Sequence, residues 1–266
     1  MRLAIRAEAL KLSRQRAGLF WGFVFIPAFM ILLSLMFGGA FLRPPPGAVA
    51  SEVHLVRSVA RTLSIGGNPM AQLFYAIGAA AIFAVEYRYS GWRHLVPRAS
   101  RESLMLSKFA AFALFAALSL VLAAAGTALV VMLVPLVQGL RPVTDATAGA
   151  GALILLSFLV SFAELMALAA IVALVAVVTR STMGAILVPF LLALVSAAAG
   201  AYLGDSVRNI PLPIFAADAL RQWIASAPGT PLDRSALIGL ATLAGWTGGA
   251  LGLAIARFRR QDLVSE

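Results

Sequence analysis

The stretch at residues 104–137, LMLSKFAAFALFAALSLVLAAAGTALVVMLVPLV, decides the fold, because Lys108 is its one charged residue. An α-helix rises about 1.5 Å per residue, so about 20 apolar residues cross a hydrocarbon core of about 30 Å. The stretch is longer than that. It therefore predicts a membrane-spanning helix that tilts or extends into water at one end.

Five more apolar runs occur, at residues 19–42, 70–85, 149–178, 183–203 and 236–256. The run at 70–85 is the shortest of them. Across the chain 61% of residues are hydrophobic and 12% are charged, whereas about a quarter are charged in a soluble domain. We predict an all-α integral membrane protein in which residues 1–266 form a single transmembrane domain of six transmembrane helices.

The basic residues predict the orientation of these helices. An even number of spans places both termini on one side of the membrane, and Lys and Arg are enriched on the cytoplasmic side. Of the 21 basic residues, 14 lie in the two terminal segments or follow the second and fourth runs, and 7 lie in the other connections. Both termini are therefore predicted to be cytoplasmic. Membrane lipids, rather than nucleic acid, are the expected counter-charge for the net charge of +10.

Residues 1–17 predict an amphipathic helix on the cytoplasmic membrane surface. Leu3, Ala7 and Leu10 lie on one side of such a helix, and the basic residues lie largely elsewhere. The alternative is a disordered, positively charged segment that only sets the topology.

Two long connections fall on the predicted outer side. Residues 43–68 open with three consecutive prolines and then predict a helix in the membrane interface, with apolar residues opposite two arginines. The apolar positions are Val56, Val59, Ala60 and Leu63, and the arginines are Arg57 and Arg61. Residues 204–233 carry four prolines around an apolar stretch too short to span the membrane. They predict a re-entrant or surface-lying helical region before the last span.

The sequence lacks the motifs of several catalytic classes. It contains no GxxxxGK[ST] phosphate-binding loop, no GxSxG nucleophile motif and no cysteine. His54 and His94 lie about forty residues apart on predicted opposite sides of the membrane, in no ligand spacing. We predict no catalytic residue and no metal site, and we expect that the chain is not an enzyme.

Glu164 falls in the middle of the run at 149–178, where a carboxylate is costly and is therefore a functional candidate. One interpretation is a proton or cation site. The other is a structural glutamic acid, protonated and hydrogen-bonded to a neighbouring helix or reached by water. No lysine, arginine or histidine is predicted in the membrane interior to complete a relay, which favours the structural interpretation.

Four glycines lie on one face of the last predicted span, at Gly245, Gly248, Gly249 and Gly252. They form two overlapping GxxxG pairs, which let another helix approach the backbone closely. The partner helix can belong to the same chain or to a second copy.

The connection at residues 83–109, FAVEYRYSGWRHLVPRASRESLMLSKF, is the most distinctive part of the sequence. Glu86 ends the second run, and aromatic residues then alternate with arginines before Pro97. Aromatic residues also populate membrane interfaces, but this arrangement favours a short helix along the cytoplasmic face.

Through this connection the chain resembles the membrane subunits of ABC-2 type transporters, six-span permeases that pair with a separate ATP-binding subunit. The residues that carry the resemblance are Glu86, Tyr87, Gly91, Arg93, Pro97, Arg101 and Lys108. The chain departs from the family pattern twice. The Gly-Thr expected after the glutamate is replaced by Ser90-Gly91, shifted by one residue, and one extra residue separates Pro97 from Arg101.

The resemblance implies a permease in a bacterial cytoplasmic (inner) membrane that exports a hydrophobic or amphipathic substrate. It implies two ATP-binding subunits, which hold ATP and Mg, no cofactor on this chain, and a second permease, either another copy or a homologue. Residues 86–103 would be the cytoplasmic coupling segment. Its docking residues would be Glu86, Tyr87, Arg88, Gly91, Trp92, Arg93, Pro97, Arg101 and Lys108. An ion- or proton-coupled carrier using Glu164 and a non-transporting assembly subunit remain the alternatives.

Overall fold

The structure, a computed structural model, describes residues 2–37, 54–88, 92, 100–137, 149–204, 210–226 and 231–261. In these ranges the chain forms helices joined by short turns, and they contain no β-strand. The described helices are α1 (Arg2–Arg14), α2 (Arg16–Leu19), α3 (Phe25–Phe37), α4 (Leu55–Leu63), α5 (Pro69–Phe83), α6 (Val85–Arg88), α7 (Arg101–Val137), α8 (Ala150–Thr179), α9 (Thr182–Leu203), α10 (Pro213–Ser226) and α11 (Arg234–Arg259).

Five helical segments of the described chain are long and apolar enough to cross a membrane. A π-helical turn, Phe20–Val24, joins α2 to α3, so that Arg16–Met36 is one such segment, and α7, α8, α9 and α11 are the others. The sixth apolar run forms α5, whose 15 residues rise only about 22 Å. The prediction of an all-helical membrane fold is therefore confirmed, with five span candidates and one shorter apolar helix.

The start of α5 shows how local sequence sets a helix boundary. The Asn68 side chain accepts hydrogen bonds from the backbone N–H of Met70, at 2.8 Å, and of Ala71. Pro69 follows as the first helical residue, where its missing N–H costs nothing. A 3₁₀ turn, Ser64–Gly67, precedes this cap and connects α5 to α4. The helix is thus held short at its N-terminal end by its own sequence.

The turn between α8 and α9 makes these two helices neighbours. Arg180 ends α8 in the left-handed conformation, with φ of 53°. The Ser181 side chain then caps α9 by accepting a hydrogen bond from the N–H of Gly184 at 3.2 Å. Because only these two residues separate the helices, α8 and α9 form a helical hairpin.

The core of the bundle is centred on α8, the most buried of the candidate spans. It packs against α5, α7, α9, α10 and α11, and its C-terminal half is rich in buried alanines such as Ala169, Ala173 and Ala176. Small side chains let neighbouring helices approach closely. Helices α9 and α11 are much less buried. Large side chains such as Leu191 and Leu253 are more than half exposed, as expected of surfaces that contact lipid.

A close helix contact lies between the π-helical turn and α5. A Cβ atom at Gly22 would lie 2.3 Å from the Cα of Gly78, so no larger residue fits there without moving the backbone. Phe23, on the same turn, packs edge-on against Tyr75 with ring centroids 6.3 Å apart. The first span is therefore anchored to α5 by backbone contact and aromatic packing.

The amphipathic pattern at residues 55–63 does form a helix, α4, but its apolar face contacts protein. The predicted apolar positions are buried and the two arginines are exposed, and the helix packs against α7 and α8. The hydroxyl of Thr62 lies 3.0 Å from that of Thr127 on α7, and Ser161 on α8 donates a hydrogen bond to the carbonyl of Leu63. Helix α4 is therefore packed into the helix bundle, whereas the sequence predicted a helix lying in the membrane interface.

Candidate functional site

Two polar clusters are built into the helices, and the first surrounds Glu86. This residue follows directly on α5, in the single helical turn of α6, and is 3% exposed. Its Oε1 accepts hydrogen bonds from Lys108 Nζ, at 2.7 Å, and from Lys11. A buried carboxylate is tolerated when it is paired and hydrogen-bonded. Lys108 from α7 and Lys11 from α1 supply that pairing.

Lys108 is the centre of this cluster and is fully buried. Besides Glu86, its ammonium donates to the carbonyl of Ile82, at 2.7 Å, and pairs with Glu8 Oε2 at 3.1 Å. These three acceptors satisfy the three hydrogens of a lysine ammonium. We call Glu8, Lys11, Glu86 and Lys108 the proximal network. It balances two positive and two negative charges and ties α1, α6 and α7 together.

A second set of contacts ties the same region to the end of α11. One guanidinium nitrogen of Arg101 lies 2.7, 2.9 and 2.6 Å from the carbonyl oxygens of Phe258, Arg259 and Gln261, which share its two hydrogens. These carbonyls lie at the C-terminal end of α11, where helical hydrogen bonding runs out and a cation is favoured. Arg101, at the start of α7, therefore caps the last helix.

Aromatic and amide groups complete this contact, which we call the C-terminal clamp. The Trp92 ring packs on Phe258, with centroids 4.5 Å apart. Gln261 donates to the carbonyl of Val177 at 2.5 Å and accepts a hydrogen bond from the Tyr87 hydroxyl at 2.9 Å. Burial raises the pKa of the Tyr87 phenol well above its ordinary value of 10, so the phenol stays a hydrogen-bond donor at neutral pH.

The predicted docking residues thus divide into two groups. Glu86, Tyr87, Trp92, Arg101 and Lys108 come together and contact their own chain. Gly91, Arg93, Pro97 and the side chain of Arg88 lie outside the described residues. Two buried atoms, Glu86 Oε2 and Trp92 Nε1, have no hydrogen-bond partner within the described ranges.

Sequence reasoning missed three members of these clusters. Glu8 and Lys11 were treated only as part of an amphipathic surface helix, although their spacing of three places them on one helix face. Leu12 beside them is buried, while Ala7 and Leu10 are exposed. Gln261 carries no signal in the sequence beyond its place after a basic helix end.

The second polar cluster surrounds Glu164, which is 1% exposed in the middle of α8. Its Oε1 accepts a hydrogen bond from Gln72 Nε2 at 3.0 Å, and its Oε2 is paired with Arg221 of α10. Gln72 also donates to the carbonyl of Gly66 at 2.8 Å. We call Gln72, Glu164 and Arg221 the mid-span junction, because Glu164 lies about 22 Å before the end of α8 at about 1.5 Å per residue.

Glu164 has a basic partner, Arg221, that does not lie on a predicted span. Arg221 was assigned to the outer connection because its stretch is too short to span the membrane. In the fold α10 packs against α8 and α11, and this brings the Arg221 side chain, 15% exposed, to the carboxylate. Asp218 Oδ1 accepts a second hydrogen bond from Arg221 at 2.9 Å.

Two glycines in the 3₁₀ turn before α5 lie directly against this ion pair. A Cβ atom at Gly66 would lie 2.9 Å from Glu164 Oε2, and one at Gly67 would lie 2.6 Å from the Arg221 guanidinium. The backbone of the turn therefore closes over the junction.

A cavity of about 20 Å³ lies beside Glu164, between α8, α9 and α10. This volume is enough for one water molecule. Apart from Gln72, Glu164 and Ser196, its walls are apolar, and they are lined by Leu168, Ile171, Pro189, Leu192, Ala193, Pro213 and Ile214.

The glycine face of α11 has no partner helix among the described residues. Gly245, Gly248, Gly249 and Gly252 are exposed, and a Cβ atom at any of them would meet no atom within 4 Å. Of the two possible partners, a helix of the same chain is therefore not found in the part of the fold that is described. In that part no group of three or more His, Cys, Asp or Glu residues could hold a metal ion.

The apolar spans and the buried polar clusters between them define a multi-pass helical membrane protein. The family model of the ABC-2 family transporter proteins matches residues 4–196, from α1 into α9. The chain belongs to this family, and it is a membrane permease of the ABC-2 type. No curated protein sequence matches the chain, and no solved structure matches it.

Proposed function

We propose that the chain is the permease subunit of an exporter in a bacterial inner membrane, powered by separate subunits that bind ATP. In this proposal α5 is a short sixth span, and both termini lie in the cytoplasm. The cargo is hydrophobic or amphipathic. The observation that carries the proposal is the proximal network, because it lies in the family-matched region at the proposed cytoplasmic end.

The proximal network and the C-terminal clamp suggest how ATP hydrolysis would move the spans. The proximal network contains Glu86, at the start of the coupling segment (residues 86–103). Arg101, near the end of that segment, contacts the end of α11. Docking of an ATP-binding subunit on that segment would pull on α1 and α7 through Glu86 and Lys108, and on α11 through Arg101. Buried ion pairs and packed rings transmit a displacement better than a flexible loop does, because packed interfaces shift between discrete arrangements.

Their burial also refines the role we propose for the predicted docking residues. Glu86, Trp92 and Lys108 are at most 3% exposed, so they cannot reach a partner protein without unpacking. We propose that they hold the coupling segment against the helices of this chain, and that other residues of the segment, including Arg93 and Pro97, contact the ATP-binding subunit.

The second permease would pack against the glycine face of α11. An exposed run of glycines lets two membrane helices approach closely. Two permeases, either two copies of this chain or this chain and a homologue, would then join two ATP-binding subunits, which hold ATP and Mg.

The test is reconstitution of the full chain with a candidate ATP-binding subunit in liposomes. We expect ATP-dependent movement of a fluorescent amphiphile. We also expect that Glu86→Gln weakens the coupling of hydrolysis to transport, whereas Arg14→Gln, at an exposed position of α1, does not. Transport that persists without ATP and collapses with the proton gradient would instead indicate a carrier. Hydrolysis without any cargo movement would indicate an assembly subunit.

A further inference from the structure

The position of α10 depends on two different kinds of contact. Its apolar face is buried: Leu220 packs against α8 and α11, and Ile214 and Phe215 pack against α9. The crossing with α11 is close, because a Cβ atom at Gly239 would lie 2.7 Å from the carbonyl oxygen of Ala216. A polar contact is made by Arg221 at the mid-span junction.

The ion pair with Glu164 holds α10 in place together with its apolar contacts. When Arg221 withdraws, Glu164 keeps a hydrogen bond from Gln72 but loses its countercharge in an apolar surrounding, which is strongly unfavourable. The carboxylate must then take up a proton or be solvated by water that enters the site. We therefore expect the junction to change between this closed arrangement and an open one.

The helix that this pair holds is also a wall of the cavity. Pro213 and Ile214 at the start of α10 face Leu168 of α8 and Pro189 of α9 across it. With α10 in place the cavity has room for about one water molecule. Displacement of α10 would open it on the side of the bundle that carries α4 and α10.

We propose that the Glu164–Arg221 ion pair is the outer gate of this permease. It holds α10 over the cavity, and its rupture opens a path from the cavity to the outer surface. The proposal rests on the proposed function for the direction of transport, because release of an exported molecule requires such an opening. Neither residue of the pair is one of the predicted coupling residues, and Arg221 lies beyond the part of the chain that the family model matches.

The chain has no cysteine, so a single introduced thiol can report on the gate. Ser196 lines the cavity and is 2% exposed. In the full chain in lipid nanodiscs, we expect Ser196→Cys to react slowly with a charged, water-soluble methanethiosulfonate. Adding Arg221→Gln should raise the labelling rate at least about tenfold, because that rate follows the population of the open state.

Two matched variants make the result specific. Arg234→Gln removes an exposed arginine at the start of α11 and should leave the labelling rate of Ser196→Cys unchanged. Tyr202→Cys, at a position that is 90% exposed, should react rapidly in every background. Arg221→Lys keeps the charge but loses the planar two-point donor, and we expect a rate between those of the unsubstituted and Arg221→Gln backgrounds.

The assay needs neither ATP nor cargo, so its outcome is separate from that of the reconstitution. An unchanged rate for Ser196→Cys in every Arg221 variant that folds would overturn the gate, even if ATP-dependent transport is found. If Arg221→Gln does not fold, Arg221→Lys is the deciding variant. A labelling rate of Ser196→Cys that is the same with Arg221→Lys as with Arg221 overturns the proposal.

Discussion

Replacing Lys108 by methionine would leave the proximal network with one cation for two carboxylates. Methionine keeps the length and the apolar stem of lysine, so the change removes the charge with little change in volume. Removing one partner of a buried ion pair costs about 3–5 kcal/mol. Glu86 keeps Lys11, whose side chain is 37% exposed, so we expect the lower end of that range, about 3 kcal/mol.

The assay is thermal unfolding of the full chain in mild detergent, followed by tryptophan fluorescence. A loss of about 3 kcal/mol corresponds to a fall in Tm of about 6–12 °C, at about 2–4 °C per kcal/mol for a chain of this size. Lys11→Met is the matched control, since it removes a cation from the same carboxylate oxygen at a partly exposed position. Its effect should stay below about 1 kcal/mol.

A double substitution separates the ion pair from other effects of the methionine. Glu86→Gln with Lys108→Met removes both charges, so its loss of stability should fall short of the sum of the single losses by about 1–2 kcal/mol. The reasoning fails if Lys108→Met leaves Tm unchanged, if Lys11→Met lowers it equally, or if the two single losses simply add.

Charge reversal at Arg93 or Arg101 should uncouple ATP hydrolysis from transport in the reconstituted complex. Normal assembly and transport by both variants would contradict that role. Gly248→Leu should abolish association between permeases, measured by cross-linking, without lowering the Tm of the monomer, because its Cβ meets no atom within 4 Å. Gly239→Leu should instead lower the Tm, because its Cβ meets α10, and the opposite pattern would exclude the glycine face as an interface. Tyr87→Phe should cost about 1 kcal/mol in unfolding free energy through its lost hydrogen bond, and an unchanged Tm would show that bond to be unimportant.

The sequence alone determined most of the helices, because the length of an apolar run depends only on local composition and on the thickness of the bilayer. The run predicted at 149–178 is α8 at Ala150–Thr179, and the run at 183–203 is α9 at Thr182–Leu203. The family followed from one connection, at residues 83–109, and the family match confirmed it.

Only the tertiary structure decided which polar groups meet. Glu164 and Arg221 are 57 residues apart, and Arg101 reaches a carbonyl 157 residues away at the end of α11. No local sequence pattern predicts such pairs, because the packing of the apolar helix faces determines which charged side chains lie close together. Hydrophobic burial is non-directional and can be read from composition. The pairing of charges inside the bundle is directional and is set by the fold.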